Sequence, residues 1–414
     1  MKAPILTSFF DRKTKLSRLP TRVWGLALGQ ALLISGNILL VSVTALIGQL
    51  LAPKLSWVTL PVALQFLGLM GVTLPAAHLV RWLGRKRVFL LGNLIGLSGA
   101  GLACLALWQT HFSLFCLGTF LLGMAIGVGQ QYRFAALENC TDTQQQPKAL
   151  GLVMGGGVLA AILGPNLAIW TEDLWPNFPY LGAFTALMTL YSLNLLLMSR
   201  LALKAPSLDE QKGPTRRYIE LLQQPQLIAA LSAGMIGYGV MVLVMTATPL
   251  AMQACGFAFA PTASVIQWHV LGMYLPSFFT GALIRQFRAG PVIQAGCLLL
   301  LLCVLLNQLG ESYWHFWSAL VALGVGWNFT FIGATQLLTA TYQPAEKAKV
   351  QGLNDFLVFA SAAFASLLAG YWQTQLGWQT LNLAMLPAIL LAMLSLAYSS
   401  RRQKRQEHEV PLSS

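Results

Sequence analysis

The sequence predicts an all-α membrane protein with twelve transmembrane helices arranged as two six-helix repeats. Its composition is the first observation behind this prediction: of 414 residues, 56% are hydrophobic and 9% are charged, which is too little polar surface to cover a soluble globule of this size. The second is that apolar stretches of about 20 residues, enough to cross about 30 Å of hydrocarbon as a helix, recur along nearly the whole chain. The alternating pattern of a transmembrane barrel is absent. The third observation is an internal repeat.

The predicted spans are joined by short segments, except for one longer polar segment that divides the chain into two bundles. The expected domains are an N-terminal tail (1–21), a first bundle (22–200), a central loop (201–225), a second bundle (226–399) and a C-terminal tail (400–414). The predicted spans are 22–50, 57–80, 88–109, 112–138, 148–170, 178–199, 226–253, 262–284, 290–309, 314–341, 348–374 and 377–398.

The formal net charge of +13 comes mainly from loops and tails on one side of the predicted spans. Arg85, Lys86 and Arg87 form one such cluster after the second span. Positively charged loops of membrane proteins face the cytoplasm, so we expect a cell inner-membrane protein with both termini cytoplasmic. The charge is thus a topology signal, and we expect the lipid bilayer as a partner but no nucleic acid. The loops of the other side contain few charges, namely Lys54, Glu172, Asp173 and Glu311.

An internal repeat is indicated by matches at one fixed spacing. Gly123 in span four and Gly324 in span ten are 201 positions apart, and the same spacing relates Leu74-Pro75 in span two to Leu275-Pro276 in span eight. A shared spacing in two separate regions favours duplication. Two parallel six-helix repeats are typical of a rocking transporter whose site lies between them near the middle of the membrane.

The loop after the second span reads AHLVRWLGRKR from Ala77 to Arg87. It resembles the signature between helices two and three of the major facilitator superfamily, in which a glycine and a leucine precede an acidic residue and then Gly-Arg-Lys-Arg. Gly84 and Arg85 fit this signature, whereas Arg81 occupies the usual aspartate position. Arg285 occupies it in the second repeat. In the family this aspartate helps to latch the halves, so the resemblance implies an altered latch at these four residues; the alternative is a purely topological role.

Span five contains Gly151, a run of three glycines and then Gly164-Pro165. It resembles the glycine-rich signature of the drug/proton antiporter branch of that family, from which it departs at Ala160. Glycine permits close helix packing and proline removes one backbone hydrogen bond, so this helix can bend where the halves meet. In the family the motif accompanies efflux, and the resemblance therefore implies export. The arginine that drug exporters have in span four is Thr119 here, so no proton relay is expected at that position.

Two titratable residues inside the spans are candidates for proton coupling. Asp355 is the only carboxylate well inside a span, about 10 Å from the start of span eleven. Because a charge at this depth is costly unless it faces a cavity or a partner, Asp355 is the favoured proton carrier, with an arginine partner as the equal alternative. His269 in span eight is the second candidate, since imidazole titrates near neutral pH. Its alternative role is a hydrogen bond between helices.

The substrate site is predicted from polar residues at mid-depth. Asn37, Tyr238 and Asn328 lie near the midpoints of spans one, seven and ten, which line the central cavity in the family the chain resembles. Each could instead be a polar packing residue.

Three further residues complete the predicted substrate site. Gln130 and Arg133 lie near the inner end of span four. Arg133 is a candidate to hold an anionic group, and its alternatives are a pair with Asp355 or a side chain that only snorkels to the interface. Met241 belongs to a run of methionines that could form an adaptable apolar wall or simply pack.

Other chemistries find no support in the sequence. No glycine-rich phosphate loop ends in lysine, and no His, Glu or Cys cluster has metal-ligand spacing. We therefore expect no enzyme, no cofactor and no metal site. The predicted function is a monomeric secondary exporter of an organic small molecule, driven by proton antiport with rocking-type alternating access. The alternatives are a proton-coupled uptake symporter and a non-transporting scaffold or sensor on the same fold.

Overall fold

The computed structural model describes residues 19–140, 145–172, 174–203 and 214–409. Within these ranges all regular structure is helical and no strand occurs. Most of the predicted N-terminal tail, the last residues of the C-terminal tail and residues 204–213 of the central loop lie outside the described residues. The α-helices are α1 (Thr21–Leu51), α2 (Leu60–Trp108), α3 (Phe112–Gly129), α4 (Tyr132–Glu138), α5 (Gln146–Thr171), α6 (Leu181–Arg200), α7 (Tyr218–Leu222), α8 (Pro225–Ala254), α9 (Phe259–Tyr274), α10 (Ser277–Phe287), α11 (Ala289–Leu309), α12 (Tyr313–Thr339), α13 (Lys347–Leu383) and α14 (Leu386–Glu409).

Two of these helices are broken at a glycine. Gly84 (φ 79°) interrupts α2 and Gly377 (φ 77°) interrupts α13, and both values lie in the left-handed region that glycine adopts without a steric penalty. The first break falls in the loop predicted between spans two and three, and the second falls at the first residue of the predicted span twelve. Ten stretches among the described residues are long and apolar enough to cross a membrane.

The predicted span eight is not one continuous helix. It consists of α9 and α10, which are separated at Leu275-Pro276. Proline has no backbone N–H to donate, so a helical hydrogen bond is lost at this point. The Asn328 amide braces the break, because its Nδ2 donates to the carbonyl oxygen of Met273 over 2.6 Å and to Ser277 Oγ over 2.7 Å.

Equivalent glycines pack the helices of each half closely. A Cβ on Gly123 of α3 would overlap the carbonyl of Gln65 in α2, and a Cβ on Gly324 of α12 would overlap the carbonyl of His269 in α9. Gly123 of α3 and Gly324 of α12 are 201 positions apart, whereas the residues they contact, Gln65 of α2 and His269 of α9, are 204 positions apart. The single spacing of 201 inferred for both regions is therefore wrong for the second helix of each half, whose partner lies three residues further along.

One end of the helical bundle carries most of the basic residues, and we call it the basic end; the other we call the opposite end. At the opposite end the halves touch directly. The Thr59 hydroxyl accepts from the backbone N–H of Gly370 over 3.2 Å, and the rings of Tyr180 and Phe259 meet edge to face at 5.8 Å. Nearer the middle, Asn166 Nδ2 donates to Gln267 Oε1 over 3.1 Å. The halves are therefore closed together at the opposite end.

At the basic end an ion pair anchors the end of the central loop to the second half. Arg216 donates to the buried carboxylate of Glu346 from Nε over 2.8 Å and from Nη2 over 2.6 Å. The backbone carbonyl of Arg216 accepts from Lys349. The Arg216 hydrogen bonds hold the pKa of Glu346 far below its ordinary value, because they stabilise the carboxylate form. We call this group the Arg216–Glu346 clamp.

Candidate functional site

A cavity of about 100 Å³ lies between the two halves. Asn37, Gln65 and Gln130 contribute amide groups from the first half, while Tyr238 and Trp327 contribute rings from the second. Every described residue that lines the cavity is uncharged. Since an ionic group is costly to bury without a counter-charge, this lining suits a neutral ligand with both polar and aromatic parts. Three methionines of the second half add an adaptable apolar surface, namely Met241, Met245 and Met273.

Two amide side chains form a pair on the wall provided by the first half. Gln65 Nε2 donates to Asn37 Oδ1 over 2.8 Å. Gln65 is only 2% exposed, and its Oε1 is buried with no hydrogen-bond partner among the described residues. The close contact between Gly123 and the Gln65 backbone fixes the height of this side chain. Because a buried acceptor without a partner is costly, Gln65 Oε1 is available for a ligand donor.

The wall provided by the second half is a cluster of aromatic rings. Tyr238 makes edge contacts with Trp327 at 5.7 Å, Phe331 at 5.6 Å and Phe359 at 6.0 Å between ring centroids. The rings of Trp327 and Phe331 are stacked, 5.0 Å apart and inclined by 10°. The indole Nε1 of Trp327 is buried and has no acceptor among the described residues. The cluster therefore offers flat apolar surfaces together with one free donor.

Arg133 and Asp355 face each other across the two halves on the side of the cavity toward the basic end. They interact electrostatically, although they do not form a direct ion pair like those at Glu138 and Glu346. Arg133 Nε is buried without an acceptor among the described residues, and its guanidinium lies over the Phe134 ring at 4.8 Å. This charge pair lies about one helical turn beyond Gln130. The sequence predicted both residues and raised their pairing as an alternative.

The other predicted polar residues lie apart from the cavity lining. Asn328 is fully buried and braces the break between α9 and α10. His269 is also fully buried, and its Nδ1 is 2.9 Å from the carbonyl oxygen of Leu320. This contact places a proton on Nδ1, because the carbonyl oxygen can only accept. The cavity thus brings together four of the predicted substrate residues, Asn37, Gln130, Tyr238 and Met241.

The predicted gating residues lie at the basic end or in α5. Arg85 forms an ion pair with Glu138 and so ties α2 to α4 within the first half, while Arg81 and Arg285 are exposed. A Cβ on Gly164 would press against Ile38 of α1. Gly164 thus permits close packing of α1 on α5, next to the buried Pro165. A Cβ on Gly151 would meet open space.

Gln65 and Trp327 were not predicted from the sequence as site residues. Gln65 lies 204 positions before His269, and the repeat would have identified it had the spacing for the second helix of each half been known. Trp327 stands beside the predicted Asn328, one position away on the same helix. Successive residues of a helix point about 100° apart. The rotation of α12 about its axis therefore decides that Trp327 faces the cavity while Asn328 braces the neighbouring helix.

Comparison with known proteins gives the class of the chain. The family model described as Major Facilitator Superfamily matches residues 26–356 and 269–414, and the chain belongs to this family. It is thus a multi-pass membrane transporter of that fold.

Particular relatives narrow the similarity further. The chain is 40% identical over 375 residues to the riboflavin transporter RfnT of Brucella anthropi, an alignment that covers 90% of this chain and 94% of that protein. It is 30% identical over 347 residues to the uncharacterized MFS-type transporter YdeG of Bacillus subtilis, covering 80% of each.

Solved structures agree on the fold. The nucleoside transporter NupG matches with a TM-score of 0.70 at 15% identity, over 91% of this chain and 99% of that one. The human organic anion transporter MFSD10 matches with a TM-score of 0.63 at 16% identity, over the same shares of the two chains.

Proposed function

We propose that this protein is a secondary transporter of riboflavin or a closely related neutral flavin, which it binds in the central cavity. The observation that carries the proposal is the uncharged lining of the cavity, with amides on the wall of the first half and aromatic rings on the wall of the second. The 40% identity to a riboflavin transporter over nine tenths of the chain supports the same substrate.

The chemistry of a flavin matches this division of the cavity. Its three fused rings are flat and neutral, with an apolar dimethylbenzene edge and a polar pyrimidine edge. The Tyr238 ring suits the flat faces, because aromatic groups gain from stacked and edge contacts. The amides of Asn37, Gln65 and Gln130 suit the polar edge and the sugar-like side chain. A phosphorylated flavin would bring a double negative charge into a cavity lined by uncharged residues, and we expect it to be excluded.

Transport requires the cavity to enlarge. Its volume of about 100 Å³ is small beside the roughly 300–1,000 Å³ of most ligand pockets. We propose twelve spans in two six-helix units, with the basic end cytoplasmic, so that this conformation is closed toward the outside. Rocking of the two units would then open the cavity to each side in turn. In this scheme Arg81, Gly84, Arg85 and Arg285 belong to the moving basic end, and Gly151, Gly164 and Pro165 shape α5 along the interface.

We propose Asp355 as the proton-coupling residue. It faces Arg133 beside the cavity, and protonation of the carboxyl would weaken this attraction between the halves. A cell needs riboflavin inside as the precursor of its flavin cofactors, so uptake by proton symport is the direction that suits the substrate. Export by proton antiport, implied by the glycine motif of α5, is the competing direction.

The experiment is flavin flux in proteoliposomes that contain the purified protein, with an imposed pH gradient of either sign. Riboflavin is added on one side and the trapped flavin is measured by fluorescence, for wild type, Asp355→Asn and protein-free vesicles. For symport we expect riboflavin to accumulate on the alkaline side and Asp355→Asn to remove this accumulation. Riboflavin phosphate serves as the matched charged substrate and should remain outside.

Each other outcome points to a different correction. Accumulation on the acidic side would establish antiport. Accumulation by Asp355→Asn equal to that of wild type would remove Asp355 from the coupling mechanism. Equal flux of riboflavin and its phosphate would contradict the neutral cavity. No flavin flux from either side, in vesicles whose protein is folded, would overturn the proposed substrate and favour the scaffold or sensor alternative.

A further inference from the structure

Two buried polar atoms of the cavity have no partner within the protein. They are Oε1 of Gln65 and Nε1 of Trp327, among the residues that the structure describes. Gln65 is 2% exposed and Trp327 is 8% exposed, and both side chains line the cavity. Since native proteins pair nearly all of their buried polar groups, a group left unpaired in a binding cavity indicates a ligand contact.

Each of these groups is either a hydrogen-bond donor or an acceptor, and this restricts which ligands can satisfy them. Gln65 Oε1 can only accept, so its partner must carry an N–H or O–H group. Asn37 uses its Oδ1 to accept from Gln65, which leaves its Nδ2 group as a donor. Trp327 Nε1 can only donate. These three groups therefore present one acceptor together with two donors.

The complement of this pattern is a donor accompanied by two acceptors on one edge of the ligand. A cyclic imide, in which one N–H lies between two carbonyl groups, has this arrangement. The pyrimidine ring of a flavin carries such an imide. A ligand hydroxyl could satisfy Gln65 alone, whereas an imide edge carries a hydrogen-bonding partner for each of the three groups.

We infer that Gln65, oriented by Asn37 and assisted by the indole N–H of Trp327, recognises the imide edge of the transported ring. This inference rests on the proposed function and assigns the specificity for the substrate to three residues. Gln65 is thereby a specificity-determining residue, and Asn37 holds its amide in the accepting orientation through the 2.8 Å hydrogen bond. The aromatic cluster, by contrast, would accept any flat ring of suitable size.

The test compares substrates that differ at the imide nitrogen. Proteoliposomes with wild-type protein are given riboflavin, riboflavin methylated at the imide nitrogen, or 5-deazariboflavin, which keeps the imide but lacks a ring nitrogen elsewhere. We expect the methylated flavin to be transported at least about tenfold less efficiently than riboflavin, because a buried acceptor then stays unpaired. We expect 5-deazariboflavin to be transported about as well as riboflavin.

A pair of variants assigns the preference to a residue. Gln65→Ala removes the acceptor and makes room for the methyl group, so the preference for riboflavin should fall to about one. Gln130→Ala, which removes another amide from the same cavity, should keep it. Measuring both substrates with each variant isolates the interaction between Gln65 and the imide nitrogen. Folding of each variant is checked by its elution profile in detergent, and the wild-type comparison needs no variant at all.

The outcomes separate this inference from the proposed function. Riboflavin flux without any preference over the methylated flavin would overturn imide recognition while leaving flavin transport intact. A preference that survives in Gln65→Ala would overturn the role of Gln65. Absence of all flavin flux would overturn the proposed function and, with it, the inference that rests on it.

Discussion

The two halves of the molecule carry different chemistry at equivalent positions of the cavity. Asn37 and Tyr238 both line the cavity and are 201 positions apart, and the first half has an amide where the second has an aromatic ring. At the same spacing from the cavity residue Gln130, the second half has Phe331, which packs against Tyr238. The amide groups of the cavity thus come from the first half and the largest aromatic rings from the second. The comparison shows that equally spaced positions of the two halves differ in side-chain chemistry.

Removing a ring should affect the protein more than removing an amide. Tyr238→Ala deletes a side chain that contacts Phe66 and three rings of its own half. We expect a loss of about 3–5 kcal/mol in the free energy of unfolding and no measurable flavin flux. Asn37→Ala should cost about 1 kcal/mol and reduce flux without unfolding the protein. Thermal unfolding in detergent and flux in vesicles measure both, with Tyr238→Phe as the conservative control. Equal destabilisation by the two alanine variants would contradict this distinction between the walls.

The equivalent glycines provide a sharper comparison. Gly123→Ala and Gly324→Ala both place a methyl group against a backbone carbonyl, and we expect each to lower stability by about 1–3 kcal/mol. Only Gly123 packs against Gln65 of the cavity. We therefore expect the riboflavin concentration for half-maximal flux to rise about tenfold in Gly123→Ala and to stay within about twofold in Gly324→Ala. A similar increase of this concentration in both variants would show that it results from disturbed helix packing in general and not from displacement of Gln65.

Substitutions in the two turns at the basic end should change the stability of the protein in opposite directions. Gly84 and Arg288 occupy the same turn of each half, with φ 79° and 70° and ψ 158° and 164°, a region that is nearly exclusive to glycine. Arg288→Gly should therefore raise the free energy of unfolding by about 1 kcal/mol, whereas Gly84→Ala should lower it by about as much. Melting temperatures of the two variants provide the check. A lower melting temperature for Arg288→Gly would mean that its side chain contributes more than the backbone strain costs.

The smallest effect is expected from pH at the Arg216–Glu346 clamp. The pKa of Glu346 is held far below its ordinary value in the folded protein, so the clamp's contribution to stability is complete above the unfolded pKa and is lost as the pH falls toward the folded pKa. Between about pH 6 and pH 8 the difference in melting temperature between wild type and Glu346→Gln should stay constant. A difference that shrinks on acidification within this range would show that the carboxylate titrates there.

Much of the fold follows from sequence patterns that are local. The positions of the helix breaks at Gly84 and Gly377 were predicted within a few residues, because hydropathy and loop charge depend on neighbouring residues only. Breaks inside a span are harder to predict. Pro75 stays within α2 and Pro165 within α5, whereas Leu275-Pro276 divides α9 from α10. The bracing of that break by Asn328 comes from another helix, so the proline alone does not reveal which span will divide.

The cavity was only partly predictable, because it depends on helix rotation and on contacts between distant segments. Asn37 and Tyr238 were predicted from their depth in the membrane, Gln130 from its place beside Arg133 near the inner end of span four, and Met241 from a run of methionines. Asn328, at similar depth, turned out to brace a neighbouring helix. No local pattern distinguishes a polar side chain that faces a cavity from one that faces a kinked helix, so depth selects candidates and tertiary packing decides between them.

The Arg216–Glu346 clamp also determines where this chain could be divided. The clamp fastens the start of the second half to the loop before α13, so a cut between Leu203 and Pro214 would leave it intact on the second fragment. Two separately produced chains could then associate through the contacts of Thr59 with Gly370 and of Asn166 with Gln267. The transporter would in that form be a heterodimer of its own two fragments.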